Sequence, residues 1–94
     1  MNIPRFHLAF PVIELENTKK FYTEVLGCKL GRESNKWIDF NLYGHQIVAH
    51  FSPDECMKTN INKVEGDMVP TRHFGVILSW KRWLELCEKI KKQK

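Results

Sequence analysis

The chain has no long apolar segment, and this absence excludes one class of protein at once. None of its apolar runs approaches the roughly 18 residues that a membrane-spanning helix requires. The N-terminus also lacks a basic segment followed by an apolar one, so no signal peptide is visible. We therefore expect a cytoplasmic protein with no membrane partner.

Paired cysteines and concentrated charge are missing as well. The three cysteines, Cys28, Cys56 and Cys87, form no CxxC pair, which agrees with a reducing compartment and favours small core residues over nucleophiles. The net charge is +4, but only the lysines over 89–94 are clustered. Lysines in the last turn of a helix complement its dipole. We therefore expect a solvated helix end here and no nucleic-acid partner.

What is present is the pattern of a single α+β domain. The 94 residues are 43% apolar and 28% charged, as in a globular protein. The first 51 residues predict a β-α-β-β-β order, with Gly27 at the position expected after a helix. The strands are predicted over 4–12, 28–33, 37–42 and 45–51, and the helix over 15–26.

The remaining residues predict a connection and a second strand–helix pair. Residues 52–70 form a long polar connecting loop, in which 57–63 is a candidate helical turn. Residues 71–78 predict a strand. Ser79 is a good N-cap for a helix that runs from Trp80 to about Lys92. Trp80 and Trp83 of that helix are expected to pack against the sheet or against whatever takes the place of further strands.

The two strand–helix pairs align with each other. At an offset of 66 residues His7 aligns with His73, and Val12 aligns with Leu78. A pattern match of this kind fixes an architecture if it is real, although chance is an alternative. The chain would then be a βαβββ module over 1–51 and a partial, incomplete second module over 71–94. Two neutral imidazoles at equivalent positions of a repeat suit a first-row transition metal.

Three segments carry a resemblance to a known family. FHLAFPVIELENTKKFYTEVLGC, WIDFNLYGHQIVAHF and VPTRHFGVIL resemble the vicinal oxygen chelate superfamily, which includes glyoxalases, bleomycin resistance proteins and extradiol dioxygenases. The closer resemblance is to small extradiol-type dioxygenases. It implies paired βαβββ modules around a divalent metal, and it is specific for fold rather than for substrate.

The resemblance also implies a ligand set. His7 and His73 match the first-strand ligands of the two modules. The third ligand of the family is a Glu on the final strand of the second module, and this chain is expected to be truncated before it. Val48 occupies the corresponding place in the first module and cannot ligate. Fe²⁺ is the first expectation for the metal, with Mn²⁺ or Zn²⁺ as alternatives.

Other candidate site residues lie on the predicted strands. His50 is expected on the same face as Val48, either as an acid–base catalytic residue or as a strand-end histidine in solvent. His45 is expected to lie in a turn without a role. Asp39 and Asn41 face either the site or water. The aromatic residues Trp37, Phe40 and Tyr43 line either a substrate pocket or the core.

Three functions follow as hypotheses. The first is a metal-dependent, extradiol-dioxygenase or glyoxalase-like enzyme acting on a small, aromatic, oxygen-chelating substrate. The second is a resistance-type module that binds a small molecule without metal chemistry. The third is an inactive fragment, which would leave apolar surface exposed and form a homodimer, with exchange of the 71–94 unit as one form of it.

Overall fold

The computed structural model describes residues 3–57, 61–64, 67–70 and 72–93, with the backbone alone for 61–64 and 67–70. The helices are α1 (Leu15–Lys20), which continues as a π-helical turn over Phe21–Val25, α2 (Pro53–Cys56) and α3 (Trp80–Lys91). The strands are β1 (His7–Val12), β2 (Lys29–Glu33), β3 (Trp37–Leu42), β4 (His45–Phe51), β5 (Ile61–Val64) and β6 (Asp67–Pro70).

The first four strands form one sheet in the order β1-β4-β3-β2. β1 pairs with β4 in parallel, with His7 beside Gln46 and Pro11 beside His50. β3 pairs antiparallel with both β4 and β2. This order places the first strand next to the last one, and the predicted βαβββ arrangement of the first 51 residues is confirmed.

One face of this sheet forms the core. Because side chains alternate along a strand, Ile38, Phe40 and Leu42 of β3 point to the same side as Ile47 and Ala49 of β4. Phe40, Ile47 and Ala49 are almost fully buried there. The helix side chains Leu15, Tyr22 and Leu26 pack against them. The residues that alternate with these along each strand point to the opposite face. The polar side chains of His7, Gln46 and Asp39 lie there.

The first helix begins at the predicted boundary but ends in a form that the sequence did not indicate. The Glu14 carboxylate accepts a hydrogen bond from the Asn17 amide at 2.9 Å, which caps the first turn. Gly27 follows the helix with a φ of 75°, as a glycine at this position permits. The π-helical turn between them places Tyr22 on the ring of Phe40, with 5.1 Å between centroids.

The predicted strand over 71–78 is wrong for the residues described. Residues 73–79 have no regular secondary structure, and a strand needs a neighbouring backbone to pair with. The segment is held by side chains instead. Phe74 packs on Phe10 with 5.1 Å between ring centroids, and Arg72 lies 3.7 Å from the Glu55 carboxylate. The strand of the second module is therefore not confirmed, and Thr71 lies outside the described residues.

The connection over 52–70 is more regular than predicted. Its helix is α2 and begins at Pro53, whose missing N–H is unneeded in the first turn of a helix. The predicted helical turn over 57–63 is wrong where it is described, because residues 61–64 form a strand of the hairpin β5–β6. Residues 58–60 lie outside the described part.

The last helix begins at Trp80 with Ser79 as its N-cap, as predicted. The Ser79 hydroxyl accepts a hydrogen bond from the Arg82 amide at 3.3 Å. Packing of Trp80 and Trp83 on the sheet is not observed, because the helix has no buried residue, and their packing on another partner stays a prediction. Trp80 and Trp83 stack on each other, with 5.1 Å between centroids, and remain exposed. No helix in the described part of the chain is long and apolar enough to cross a membrane.

Two core groups make stability depend on pH. Burial raises the pKa of the Cys28 thiol above its ordinary value of 9.0. Burial and then the nearby Cys28 charge raise the pKa of the Tyr22 phenol above 10.0. The folded chain therefore holds both protons more tightly than the unfolded chain. The resulting stability is complete below the ordinary pKa values and is lost as the pH rises through the raised ones.

We expect the urea midpoint of unfolding to be constant from about pH 7 to 8.5 and to fall above about pH 9. The double variant Cys28→Ala, Tyr22→Phe keeps the ring stack but removes both protons, so its midpoint should fall less steeply. An equal slope for the variant and the natural chain between these pH values would contradict the assignment to Cys28 and Tyr22.

Candidate functional site

A row of polar side chains crosses the sheet face opposite the core. Each of the four strands of the sheet contributes one member, and we call this set the polar row. In the order of the strands across the sheet, it consists of His7, Gln46, Asp39 and Arg32.

Strand alternation explains why Asp39 belongs to this row. Ile38 and Phe40 on either side of it point into the core, so Asp39 points to the opposite face. Its two neighbouring strands nevertheless cover it, and only 7% of the residue is exposed. Asn41 lies on the same face of the sheet but is not part of the polar row. Its side-chain oxygen accepts a hydrogen bond from the Gly44 amide at 2.7 Å in the turn before β4.

Hydrogen bonds connect the polar row from one end to the other. The His7 Nδ1 atom lies 3.0 Å from the Gln46 Oε1 atom. The Gln46 amide nitrogen donates to Asp39 Oδ2 at 3.4 Å. The Arg32 Nε group donates to the same carboxylate oxygen at 3.3 Å. The buried carboxylate therefore has both a cationic and a neutral donor, as a buried charge requires.

An irregularity in β2 brings Arg32 to Asp39. The pairing of β2 with β3 shifts register between Leu30 and Glu33, which re-aims the side chains in that stretch. Gly31 lies so close to β3 that a Cβ atom there would be 3.0 Å from the Asp39 Cβ atom. The Arg32 guanidinium lies over the Trp37 ring, 5.6 Å from its centroid, and this cation–π contact holds the end of the polar row.

His45 has a role that the sequence did not reveal. It is the first residue of β4 rather than a turn residue, and its Nδ1 atom accepts a hydrogen bond from the Phe6 amide at 2.9 Å. The Gln46 amide donates to the Phe6 carbonyl, also at 2.9 Å. The start of β1 is thereby fixed beside β4, and His7 with it. The contact spans 39 residues, so no local signal in the sequence could have indicated it.

His50 lies on the same sheet face as the polar row but at a distance from His7. It is exposed and lies four residues beyond Gln46, the partner of His7 in the register. At about 3.3 Å per residue this corresponds to roughly 13 Å along the sheet. The two rings therefore cannot contact one small group together, and the acid–base role of His50 stays a prediction.

His73 lies in a different environment. It is exposed and lines a cavity of about 1100 Å³ that runs beside β1 and the segment 72–78. His7 is not a lining residue of this cavity. Within the described ranges, no three His, Cys, Asp or Glu side chains form a group that could hold a metal ion. The ligand roles predicted for His7 and His73 stay predictions.

The three candidate aromatic residues have three different positions. Phe40 belongs to the core, with 1% of its surface exposed. Trp37 lies beneath Arg32 at the end of the polar row. Tyr43 lines the cavity, with the Arg82 guanidinium 5.7 Å from its ring centroid. Of the two alternatives, the core position holds for Phe40, and the three rings do not line one pocket together.

Comparisons with known proteins identify relatives of this architecture. The sequence model of the Glyoxalase/Bleomycin resistance protein/Dioxygenase superfamily matches residues 6–94. Among solved structures, the chain is similar to a glyoxalase/bleomycin resistance protein/dioxygenase from Alicyclobacillus acidocaldarius, with 33% identity and a TM-score of 0.73. The match covers 95% of this chain and 62% of the other, so this chain spans less than two thirds of that protein. No curated protein gave a significant match.

Proposed function

Because the chain belongs to the glyoxalase/bleomycin resistance protein/dioxygenase superfamily, we propose that it contributes to a divalent-metal site for a small, oxygen-chelating substrate. The reaction class is that of a ring-cleaving dioxygenase or a glyoxalase-type lyase. One observation carries the proposal. The His7 ring is exposed on the polar face of the sheet, and among the described residues its Nδ1 atom has a hydrogen-bond partner in the Gln46 side-chain oxygen, while its Nε2 atom has none.

The donor chemistry fits a metal in part. An imidazole with one nitrogen engaged and the other free is the usual form of a histidine ligand, and imidazole suits Fe²⁺ and Zn²⁺ better than Mn²⁺. We assign Fe²⁺ first, with His73 as the second ligand. The described residues offer no group of three donors, so the proposal requires a further ligand from outside them. A bound metal supplies Lewis-acid activation of the substrate oxygens.

The chain's own residues supply binding and orientation. His7 marks one end of the polar row. At the other end, the Arg32 side chain is 81% exposed while its Nε group remains bonded to Asp39. A fixed guanidinium of this kind attracts an anionic oxygen of a substrate. Val48 lies on the same face beside Asp39 and is almost buried, with 6% of its surface exposed.

A second candidate function is small-molecule binding without metal chemistry. The cavity of about 1100 Å³ favours it, because its lining is mainly apolar and includes the rings of Phe10, Tyr22 and Phe74. Cavities of this size and lining are typical of small-molecule sites. In this alternative, ligand affinity is independent of both metal and His7.

Metal binding to the purified chain tests the proposal. We expect titration calorimetry with Fe²⁺ (under anaerobic conditions), Mn²⁺ and Zn²⁺ to give a one-to-one complex. His7→Ala should weaken the affinity by at least about tenfold, because it deletes a ligand. The matched control is His50→Ala, which removes an exposed histidine from the same face and should leave the affinity unchanged. Absence of binding, or equal affinity for the His7→Ala and His50→Ala variants, would overturn the proposal.

A further inference from the structure

We propose that Gln46 and Asp39 are positioning residues that hold His7 in the Nδ1–H tautomer and thereby reserve Nε2 for a ligand. The use of Nε2 for metal binding rests on the proposed function. The tautomer itself follows from the contacts of the polar row and holds for the metal-free chain.

Asp39 determines which atoms donate and which accept in the hydrogen bonds of the polar row. An ionised carboxylate can only accept hydrogen bonds. The Gln46 group that faces Asp39 Oδ2 at 3.4 Å must therefore be the amide NH₂. This fixes the orientation of the amide, because its two ends are otherwise interchangeable. A reversed amide would bring its oxygen against a carboxylate oxygen, so that two acceptors would face each other.

The orientation of the Gln46 amide determines the protonated nitrogen of His7. With its nitrogen directed to Asp39, Gln46 presents its oxygen to the His7 ring, 3.0 Å from Nδ1. An amide oxygen can only accept, so Nδ1 must carry the hydrogen. In the neutral ring Nε2 then holds the free lone pair. A histidine ring without a directed partner favours the opposite form, with the hydrogen on Nε2, so the row selects the less common tautomer.

Burial and a second hydrogen bond hold the Asp39 carboxylate in place, so the donors and acceptors of the polar row are not exchanged. Asp39 is buried, with 7% of the residue exposed, and its Oδ2 atom also accepts from Arg32 Nε at 3.3 Å. Arg32 is in turn placed over Trp37. The carboxylate is thus held in its orientation toward Gln46, and the tautomer of His7 is set from the opposite edge of the sheet.

His45 provides an internal contrast within the same molecule. Its Nδ1 atom accepts a hydrogen bond from the Phe6 amide at 2.9 Å. A backbone amide can only donate, so Nδ1 of His45 carries no hydrogen, and the neutral ring must be the Nε2–H form. The structure therefore assigns opposite tautomers to two histidines on paired strands.

Nitrogen-15 NMR of the metal-free chain tests this assignment. At a pH at which the imidazoles are neutral, long-range ¹H–¹⁵N correlations distinguish a protonated ring nitrogen from an unprotonated one. We expect Nδ1–H for His7 and Nε2–H for His45. Gln46→Leu removes the acceptor at similar volume, and it should convert His7 to the Nε2–H form while His45 is unchanged. A His7 ring already in the Nε2–H form in the natural chain, or one that Gln46→Leu does not change, would overturn the proposal.

Metal affinity tests the consequence separately. We expect Gln46→Leu to weaken metal binding about 10–100-fold, the usual effect of losing a partner that orients a histidine ligand. His50→Ala again serves as the control. If the chain binds no metal, the proposed function is wrong. The assignment of the His7 tautomer is then decided by the NMR spectra alone. If metal binds and the affinity of Gln46→Leu is unchanged, positioning by Gln46 is refuted.

Discussion

Phe40→Ala is expected to lower the free energy of unfolding by about 3–5 kcal/mol, the usual range for removing a large aromatic side chain from a core. Phe40 is the largest fully buried side chain of the described residues, with 1% of its surface exposed. Its ring stacks on Tyr22, with centroids 5.1 Å apart. The helix and the sheet meet at this contact, so a cavity there weakens the attachment of α1 to β3.

Urea denaturation followed by circular dichroism measures this loss. Phe51→Ala is the matched control, because it makes the same chemical change at a residue that is 50% exposed. We expect the control to cost about 1 kcal/mol or less, as for substitutions near the surface. Similar losses for the two variants would show that the core is not centred on Phe40. A domain of this size has about 5–15 kcal/mol in total, so Phe40→Ala should leave it marginal.

The second large effect is expected for Gly31→Ala. The added methyl group would lie 3.0 Å from the Asp39 Cβ atom and 3.3 Å from the Asp39 carbonyl oxygen. One of these atoms belongs to the backbone of a central strand, so β2 has to move away from β3. Overpacking of this kind costs about 1–3 kcal/mol. The movement also separates Arg32 from Asp39, so the effect should reach the polar row.

Thermal and urea unfolding of Gly31→Ala should therefore be compared with those of Gly75→Ala. Gly75 has no atom within 4 Å of the position of an added Cβ, so the control should change stability by no more than about 0.5 kcal/mol. A second readout is the Asp39 backbone amide in an NMR spectrum, which should shift in Gly31→Ala alone. Equal stabilities of the two variants would show that β2 does not press on Asp39 as described.

The sequence was most informative where a pattern is local. The alternation over 37–42 predicted a strand, because inward and outward residues differ in polarity there, and β3 has those bounds. It could not decide the environment of Asp39. That depends on β2 and β4, which flank the residue on both sides, and on a register shift in β2. Gly31 is a general sign of such an irregularity, but it does not indicate which side chain the shift brings to Asp39. The polar row joins residues from four strands and was not predicted for the same reason.

The error over 71–78 has a related cause. The apolar and β-branched residues there have high strand propensity, but that propensity reflects how well a residue fits a paired, half-buried surface. Ile77 is fully exposed instead, since no described strand lies beside it. The helix that follows was predicted correctly because its start depends on Ser79, a neighbour in sequence. His73 therefore has a predicted role but no sheet position equivalent to that of His7.

The contact between Phe6 and His45 sets the order in which the site can assemble. It joins residues 39 positions apart, whereas the hairpin of β3 and β4 closes over a turn at Tyr43 and Gly44. Non-local pairings form more slowly than local ones because a longer loop has to close first. During synthesis, His7 therefore emerges early but receives its partner Gln46 only after β4 has left the ribosome. A nascent chain that ends before Gln46 therefore has no hydrogen-bond partner for His7 Nδ1 and presents His7 without a fixed tautomer.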